Sequence, residues 1–211
     1  MEKISRSEPR KVEFIKPVVL IPNFLTDSEL DLMEKILHEK SENDIKWIDD
    51  VHAEKGDYRI SAINYELTED GRAKKIITKV RKKILSVNKN NFKFPRPKFP
   101  DPLFVSHYFE GGFRTLHHDG GFVDEQFYGK DDEVQNKRFL NRRITCVIQL
   151  SDKNDYEGGE LVIPFYEKFI DKEVFHKKGT MILFASHILH EVPPIKKGSR
   201  KSLITFMCGG R

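Results

Sequence analysis

The stretch His107-Tyr108-Phe109-Glu110-Gly111-Gly112-Phe113-Arg114-Thr115-Leu116-His117-His118-Asp119-Gly120-Gly121 decides how the rest of the chain is read. Along a β-strand successive side chains point to opposite faces, so residues two apart share a face. On that geometry His117 and Asp119 point the same way and His118 points away. An imidazole beside a carboxylate is half of a metal site. One more histidine would complete a two-histidine, one-carboxylate facial triad, the donor set of non-haem Fe(II) with open positions left over.

Two histidines further along are candidates for the third ligand, His187 and His190, within LFASHILHEVPPIKKGSR. Arg200 follows His190 past a Pro-Pro pair and a Gly198 turn, at the start of the last apolar run. A cation held deep in a small barrel needs an anion, and a dicarboxylate bound at the metal would provide one.

Around this centre the pattern is one of short apolar runs separated by glycine and proline: 103–109, 144–150, 160–165, 180–185 and 202–208. Many short strands so punctuated argue for a β-sandwich or jelly roll. Helical patterns come first and strands later, with no alternating βαβ rhythm, which weighs against a Rossmann-type sheet. The long connection Phe122 to Asn141 carries Phe122, Phe127 and Tyr128 among acidic residues and reads as a lid over the site or a disordered tip.

Upstream, Val18-Val19-Leu20-Ile21 sits between two prolines and reads as a strand. Thr26-Asp27-Ser28-Glu29 is a capping-box pattern, followed by a buried stripe of Leu30, Met33, Ile36 and Leu37. Lys46–Ile48 and Arg59–Ile63 look like strands at a sheet edge. Ala73, Ile77, Val80, Ile84 and Val87 repeat at helical spacing, with lysines and arginines over the remaining faces. That basic face could meet nucleic acid or an acidic protein, although a solvated helix back is the commoner arrangement. Phe92–Pro102 holds four prolines and is expected to be extended.

Composition sets outer bounds. A chain of 211 residues is long enough for one buried core, and 38% apolar residues with 16 phenylalanines exclude a disordered polymer. The net charge of +4 permits an anionic partner without demanding nucleic acid. Cys146 and Cys208 both fall inside apolar runs, as buried reduced thiols do. No run approaches the roughly 18 apolar residues of a membrane span, and the charged N-terminus lacks the apolar centre of a signal peptide. A soluble, cytoplasmic protein is expected: residues 1–16 as a polar segment, then a single domain over 17–211.

Taken in order, Tyr108-x-x-Gly111, His117-x-Asp119, Arg142-x-x-Thr145, Gly158-Gly159-Glu160-Leu161 with Pro164, Gly179, His190-x-Val192-x-Pro194-Ile195 and Gly198-x-Arg200 resemble the 2-oxoglutarate- and Fe(II)-dependent dioxygenases, in their prolyl 4-hydroxylase-like branch. The resemblance spans roughly 103–209. It implies an α+β, mainly β fold: a double-stranded β-helix (jelly-roll) core with N-terminal helices packed on one sheet. It selects His190 over His187 as the third ligand beside His117 and Asp119. It implies Fe(II) as metal and 2-oxoglutarate as co-substrate, with ascorbate to maintain the iron. Arg200 would grip the far carboxylate of 2-oxoglutarate, helped by Tyr108.

Two positions depart from the family pattern and a third keeps it. Gln149 stands where many relatives have a tyrosine lining the co-substrate pocket, so it is a co-substrate contact of altered reach. Phe206 replaces a frequent tryptophan, and Tyr156 provides the aromatic residue common just before Gly-Gly-Glu-Leu. Arg114, His187, Phe122, Phe127 and Tyr128 are candidate substrate contacts. The family branch implies hydroxylation of a C–H bond, with a prolyl side chain of a protein or peptide as first substrate. A free amino acid or other small metabolite is the rival substrate. A catalytically silent, metal-binding jelly roll is the rival class. Nucleic-acid demethylation would require the basic helix at 70–87 to lie beside the metal.

Overall fold

The structure, a computed structural model, describes residues 15–39, 45–48, 59–68, 70–120 and 142–209. The expected lid over 122–141, with Phe122, Phe127 and Tyr128, lies outside the described residues, as do residues 1–14 of the N-terminal segment.

Strand β1 (Val18–Ile21) leads to helix α1 (Asp27–His38), which starts where its capping box says it should. Thr26 Oγ1 accepts from the Glu29 backbone N–H at 3.3 Å, and Glu29 Oε2 accepts from the Thr26 backbone N–H at 2.9 Å. Strands β2 (Ile45–Ile48) and β3 (Arg59–Glu66) follow. A turn of 3₁₀ helix at Gly71–Ala73 enters helix α2 (Lys74–Val87), which runs into a π turn at Asn88–Phe92.

The next segment corrects the expectation of a uniformly extended 92–102. Lys93 and Arg96 take left-handed φ values of 61° and 51°. Asn88 holds the bend, accepting from the Phe94 N–H and donating to the Phe94 carbonyl, both at 2.9 Å. Four prolines forbid a helix there, but they do not forbid turns.

Strand β4 (Phe104–His117) is longer than the apolar run that marked it. After it come β5 (Arg142–Gln149), β6 (Tyr156–Gly158), the short helix α3 (Lys172–His176), β7 (Met181–Ala185), β8 (His190–Val192), β9 (Ile195–Gly198) and β10 (Arg200–Cys208). The strand expected over 160–165 does not form. Only Val162 makes a bridge, to Glu191, and Pro164–Tyr166 is a turn. Proline cannot donate to a ladder, which ends the pairing there.

The main sheet is antiparallel in the order β1-β7-β5-β10-β4-β3-β2, and β6 and β9 form a second, two-stranded sheet. Strand β4 belongs to two neighbourhoods. Phe104 to Tyr108 pair with Ile204 to Arg200 of β10, while Arg114 and His117 pair with Val192 and His190 of β8. Gly111, at φ +78°, lies between the two stretches, in a conformation that favours glycine.

Alternation along β5 and β7 splits the apolar residues into two clusters. Ile144, Cys146, Ile148, Met181 and Leu183 join Leu30, Met33 and Ile36 of α1 and Ile76, Val80 and Ile84 of α2. Val147, Ile182 and Phe184 join Leu161, Phe175, Ile188 and Val192 instead. Thr145 and Gln149 share parity with Val147, so they face the second cluster. Among the described residues no helix is long and apolar enough to cross a membrane.

Candidate metal centre

His117 closes β4 and His190 opens β8, and the two are direct cross-strand partners. Such pairing sets side chains next to each other on one face, and the imidazole centroids lie 4.2 Å apart. Asp119 arrives differently from what strand alternation predicts. The strand ends at His117, and Asp119 sits in a bend. Its N–H and that of Gly120 both donate to the Ser186 carbonyl, at 2.9 and 3.1 Å, which draws the bend against the turn after β7.

One ligand atom from each of His117, Asp119 and His190 falls within 4.8 Å of the others. Asp119 Oδ2 is 3.2 Å from His190 Nε2, and Oδ1 is 3.5 Å from His117 Nε2. His117 Nδ1 lies 2.8 Å from the Thr115 carbonyl and His190 Nδ1 3.0 Å from the Ile188 carbonyl. A carbonyl can only accept, so both Nδ1 atoms carry the proton and both Nε2 lone pairs are presented to the centre. Thr145 Oγ1 donates to Asp119 Oδ2 at 2.8 Å, with Ser186 Oγ 3.1 Å away.

The electrostatics suit a cation. Burial pushes the Asp119 carboxyl up, but His190 and His117 outweigh it and hold it well below the usual carboxylate range. Burial lowers His117 on balance, whereas for His190 the Asp119 charge overcomes burial and the imidazole is raised. Two imidazoles and one carboxylate, each with its second atom tied to protein, form a donor set that fits Fe(II).

Arg200 is the other conspicuous group. It is 1% exposed, and no carboxylate among the described residues pairs with it. Its Nη2 donates to Gln149 Oε1 at 2.8 Å, and its buried Nε has no partner. An arginine buried so completely with a spare donor fits a carboxylate brought from outside. Tyr108 is its cross-strand partner and is itself buried, in a small cluster with Tyr156 and Ile195. Burial raises the Tyr156 hydroxyl, against the pull of the Arg200 guanidinium beside it.

Among the candidate substrate contacts, Arg114 stands at the candidate metal ligands: its Nε donates to His117 Nε2 at 3.0 Å, using the lone pair that a bound metal would take in its place. A β-bulge between Arg114 and His117 brings both onto one face of β4, where plain alternation would separate them. His187 is exposed in the turn between β7 and β8. Sequence reasoning treated Thr145 only as a landmark and did not select Ser186 or His176. The one available signal was that Thr145 lies four residues from Gln149 on β5 and so shares its face.

Comparison with known proteins agrees with this geometry. Residues 103–208 match the family described as the 2OG-Fe(II) oxygenase superfamily. Over 191 residues the chain is 28% identical to a PKHD-type hydroxylase of Aliarcobacter butzleri, covering 90% of this chain and 76% of that one. It is similar to the viral collagen prolyl hydroxylase of Paramecium bursaria Chlorella virus-1 in its 2OG complex, with TM-score 0.63 and 19% identity over 92% of this chain and 97% of that one. It is also similar to a Trichoplax adhaerens prolyl hydroxylase in complex with a hypoxia inducible factor peptide fragment, with TM-score 0.62 and 16% identity, covering 91% and 83%. These structural likenesses establish the mainly β jelly-roll fold. The family match takes in every candidate ligand from Tyr108 to Arg200: the chain belongs to the 2OG-Fe(II) oxygenase superfamily, with Fe(II) and 2-oxoglutarate as metal and co-substrate.

Proposed function

We propose that this oxygenase hydroxylates a prolyl side chain in a protein or peptide, from a single domain covering residues 17–211. His117, Asp119 and His190 would hold Fe(II), and Arg200, flanked by Tyr108 and Gln149, would take the far carboxylate of 2-oxoglutarate. The observation that carries the assignment of roles is the convergence of three ligand atoms within 4.8 Å, in a chain whose fully buried Arg200 has no carboxylate partner among the described residues. The prolyl substrate draws its support from the relatives, whose names are those of PKHD-type and prolyl hydroxylases.

Bound Fe(II) and 2-oxoglutarate would let dioxygen convert the co-substrate to succinate and carbon dioxide, with one oxygen atom going into the succinate and the other into a C–H bond of the substrate. The chain's own residues bind, orient and exclude water. Asp119 provides a charged oxygen donor, pinned by Thr145. The Nδ1 contacts of both histidines fix their tautomers and ring planes. Phe184, edge-on to His190 at 4.9 Å, and the buried Ile188 and Val192 give the centre an apolar wall. Helices α1 and α2 back the opposite face of the main sheet, because their cluster takes the β5 residues that point away from Thr145. That placement supports a protein or peptide substrate over nucleic-acid demethylation, which needs the basic face of α2 beside the metal.

The test is an anaerobic titration of Fe(II) and 2-oxoglutarate, following the visible charge-transfer band, with Asp119→Ala and Arg200→Ala alongside. A band in the parent, lost in Asp119→Ala and requiring more co-substrate in Arg200→Ala, supports the roles. Succinate release against proline-containing peptides and free amino acids then decides the substrate. Turnover with free amino acids alone would replace the peptide by the small-metabolite reading. No band in folded, metal-loaded protein would favour a silent jelly roll.

A further inference from the structure

Gln149 joins four pieces of the chain. Its backbone N–H donates to the Thr180 carbonyl at 3.1 Å, and its own carbonyl accepts from the Gly179 N–H at 2.8 Å. Its side-chain amide donates to the Phe175 carbonyl at 3.2 Å, and its Oε1 accepts from Arg200 Nη2 at 2.8 Å. The end of α3, the start of β7 and the start of β10 are thereby held around one side chain.

These segments carry three buried polar atoms without a hydrogen-bond partner: Arg200 Nε, His176 Nδ1 and Thr180 Oγ1. Native interiors seldom leave such atoms unmatched, and each one calls for a ligand or other explanation. Two others among the described residues lie on other segments, Arg81 Nε on α2 and His118 Nδ1 after β4. Thr205 Oγ1 is also unmatched, but it lies five residues from Arg200 on β10 and so faces the other way. Thr180 is fully buried and continues the parity of Ile182 and Phe184, which face the metal side. His176 stacks edge-on against Phe175 at 5.0 Å, so its ring is held beside the Gln149 contact.

We propose that His176 and Thr180 are further binding residues for 2-oxoglutarate, closing the far end of its chamber and setting the chain length that it accepts. Arg200 supplies the charge for the distal carboxylate, while the imidazole N–H and the threonine hydroxyl donate to oxygen positions that the guanidinium does not reach. Burial, and after it the Arg200 charge, push the His176 imidazole down, so it donates as a neutral group and adds no second cation. Gln149 acts as the frame. Its two side-chain bonds are both spent on protein, which distinguishes it from the tyrosine that would point a hydroxyl at the co-substrate. The inference rests on Arg200 taking the distal carboxylate.

The experiment is calorimetric titration of 2-oxoglutarate into Mn(II)-loaded protein, for the parent, Arg200→Ala, His176→Phe, His176→Asn and Thr180→Val. Circular dichroism and thermal unfolding check that each variant folds. His176→Phe and Thr180→Val are expected to raise Kd by about 3- to 10-fold each, as loss of one hydrogen bond does. Asparagine carries an N–H near the position of the imidazole Nδ1, so His176→Asn should recover most of the affinity. The keto-diacids one methylene longer and one shorter should gain on 2-oxoglutarate in His176→Phe and Thr180→Val. Unchanged Kd and unchanged length preference in folded His176→Phe and Thr180→Val, with Arg200→Ala weakened, would overturn this inference alone. No binding by the parent, or none of the expected loss in Arg200→Ala, would overturn the distal-carboxylate reading and this inference with it.

Discussion

Replacing Thr145 by valine should weaken metal binding by about 10- to 100-fold without unfolding the protein. Thr145 is 1% exposed on β5 and meets both Asp119 Oδ2, at 2.8 Å, and Ser186 Oγ, at 3.1 Å. A hydroxyl has one proton and a carboxylate only accepts, so Thr145 gives that proton to Asp119 in preference to the Ser186 hydroxyl. Valine keeps the shape and removes both bonds. A hydrogen bond to a charged group contributes about 1.5–3 kcal/mol. Part of that loss will be seen as reduced stability of the metal-free protein, roughly 1–2 kcal/mol in denaturant unfolding. The remainder concerns orientation. With Oδ2 no longer held, the carboxylate can rotate, and every 1.4 kcal/mol or so needed to realign it costs tenfold in affinity. Anaerobic Fe(II) titration, repeated with Mn(II), measures it directly. Thr145→Ser, which retains the hydroxyl, should stay near the parent. A folded Thr145→Val that binds metal within about twofold of the parent would refute the idea that Thr145 holds the Asp119 ligand.

Further outcomes can be read from other parts of the fold. A Cβ on Gly198, at φ +77°, would lie 2.1 Å from the Asp155 carbonyl oxygen, whereas one on Gly111, at φ +78°, meets nothing within 4 Å. Gly198→Ala should therefore lose more than about 3 kcal/mol and Gly111→Ala about 1–2 kcal/mol in denaturant unfolding, and equal losses would rule out the clash as the cause. Burial, reinforced by the Lys201 ammonium, pushes His107 down to about 4. The unfolded chain then binds the proton first, so this part of the stability is complete above about pH 6.5 and is lost as pH falls toward 4. After allowance for partial exposure, the parent should lose about 1 kcal/mol more than His107→Gln between pH 7 and 5, and parallel curves would contradict this. Burial pushes the Cys146 thiol up, and Cys208 is buried as well. Neither should react with a thiol reagent until denaturant is added; rapid labelling of Cys146 in the native protein would show that its strand opens.

What could be read in advance follows from the physics of the pieces. Gly158, Gly159 and Gly198 all have positive φ, and a Cβ on any of them would collide with the chain that follows β8 or precedes β6. Such positions restrict residue type locally, so Gly-Gly-Glu-Leu and Gly-x-Arg remain visible as written motifs. The capping box of α1 and the stripe of α2 are local in the same sense. Partnerships between distant segments are not. Alternation paired His117 with Asp119 correctly but for the wrong reason, since the carboxylate is set by two N–H groups donating to the Ser186 carbonyl. Alternation also separates Arg114 from His117, and only the bulge opposite β8 reunites them. A bulge adds one residue to one strand, and nothing in Arg114-Thr115-Leu116-His117 marks where it falls.

Gln149 shows the same limit from the chemical side. As a departure from a tyrosine it reads as a co-substrate contact of altered reach. Its amide has two ends, however, and a buried amide must satisfy both. Phe175 takes one N–H and Arg200 one lone pair of the carbonyl, which fixes the amide plane between them. A tyrosine at that place could offer its hydroxyl to the co-substrate directly; a glutamine can instead fix the arginine and the end of α3 relative to each other. In the proposal above, ligand contact extends from Arg200 to the residues that Gln149 positions. The unmatched atoms of His176, Thr180 and Arg200 are therefore where that proposal is tested, with Gln149 as the frame that relates them.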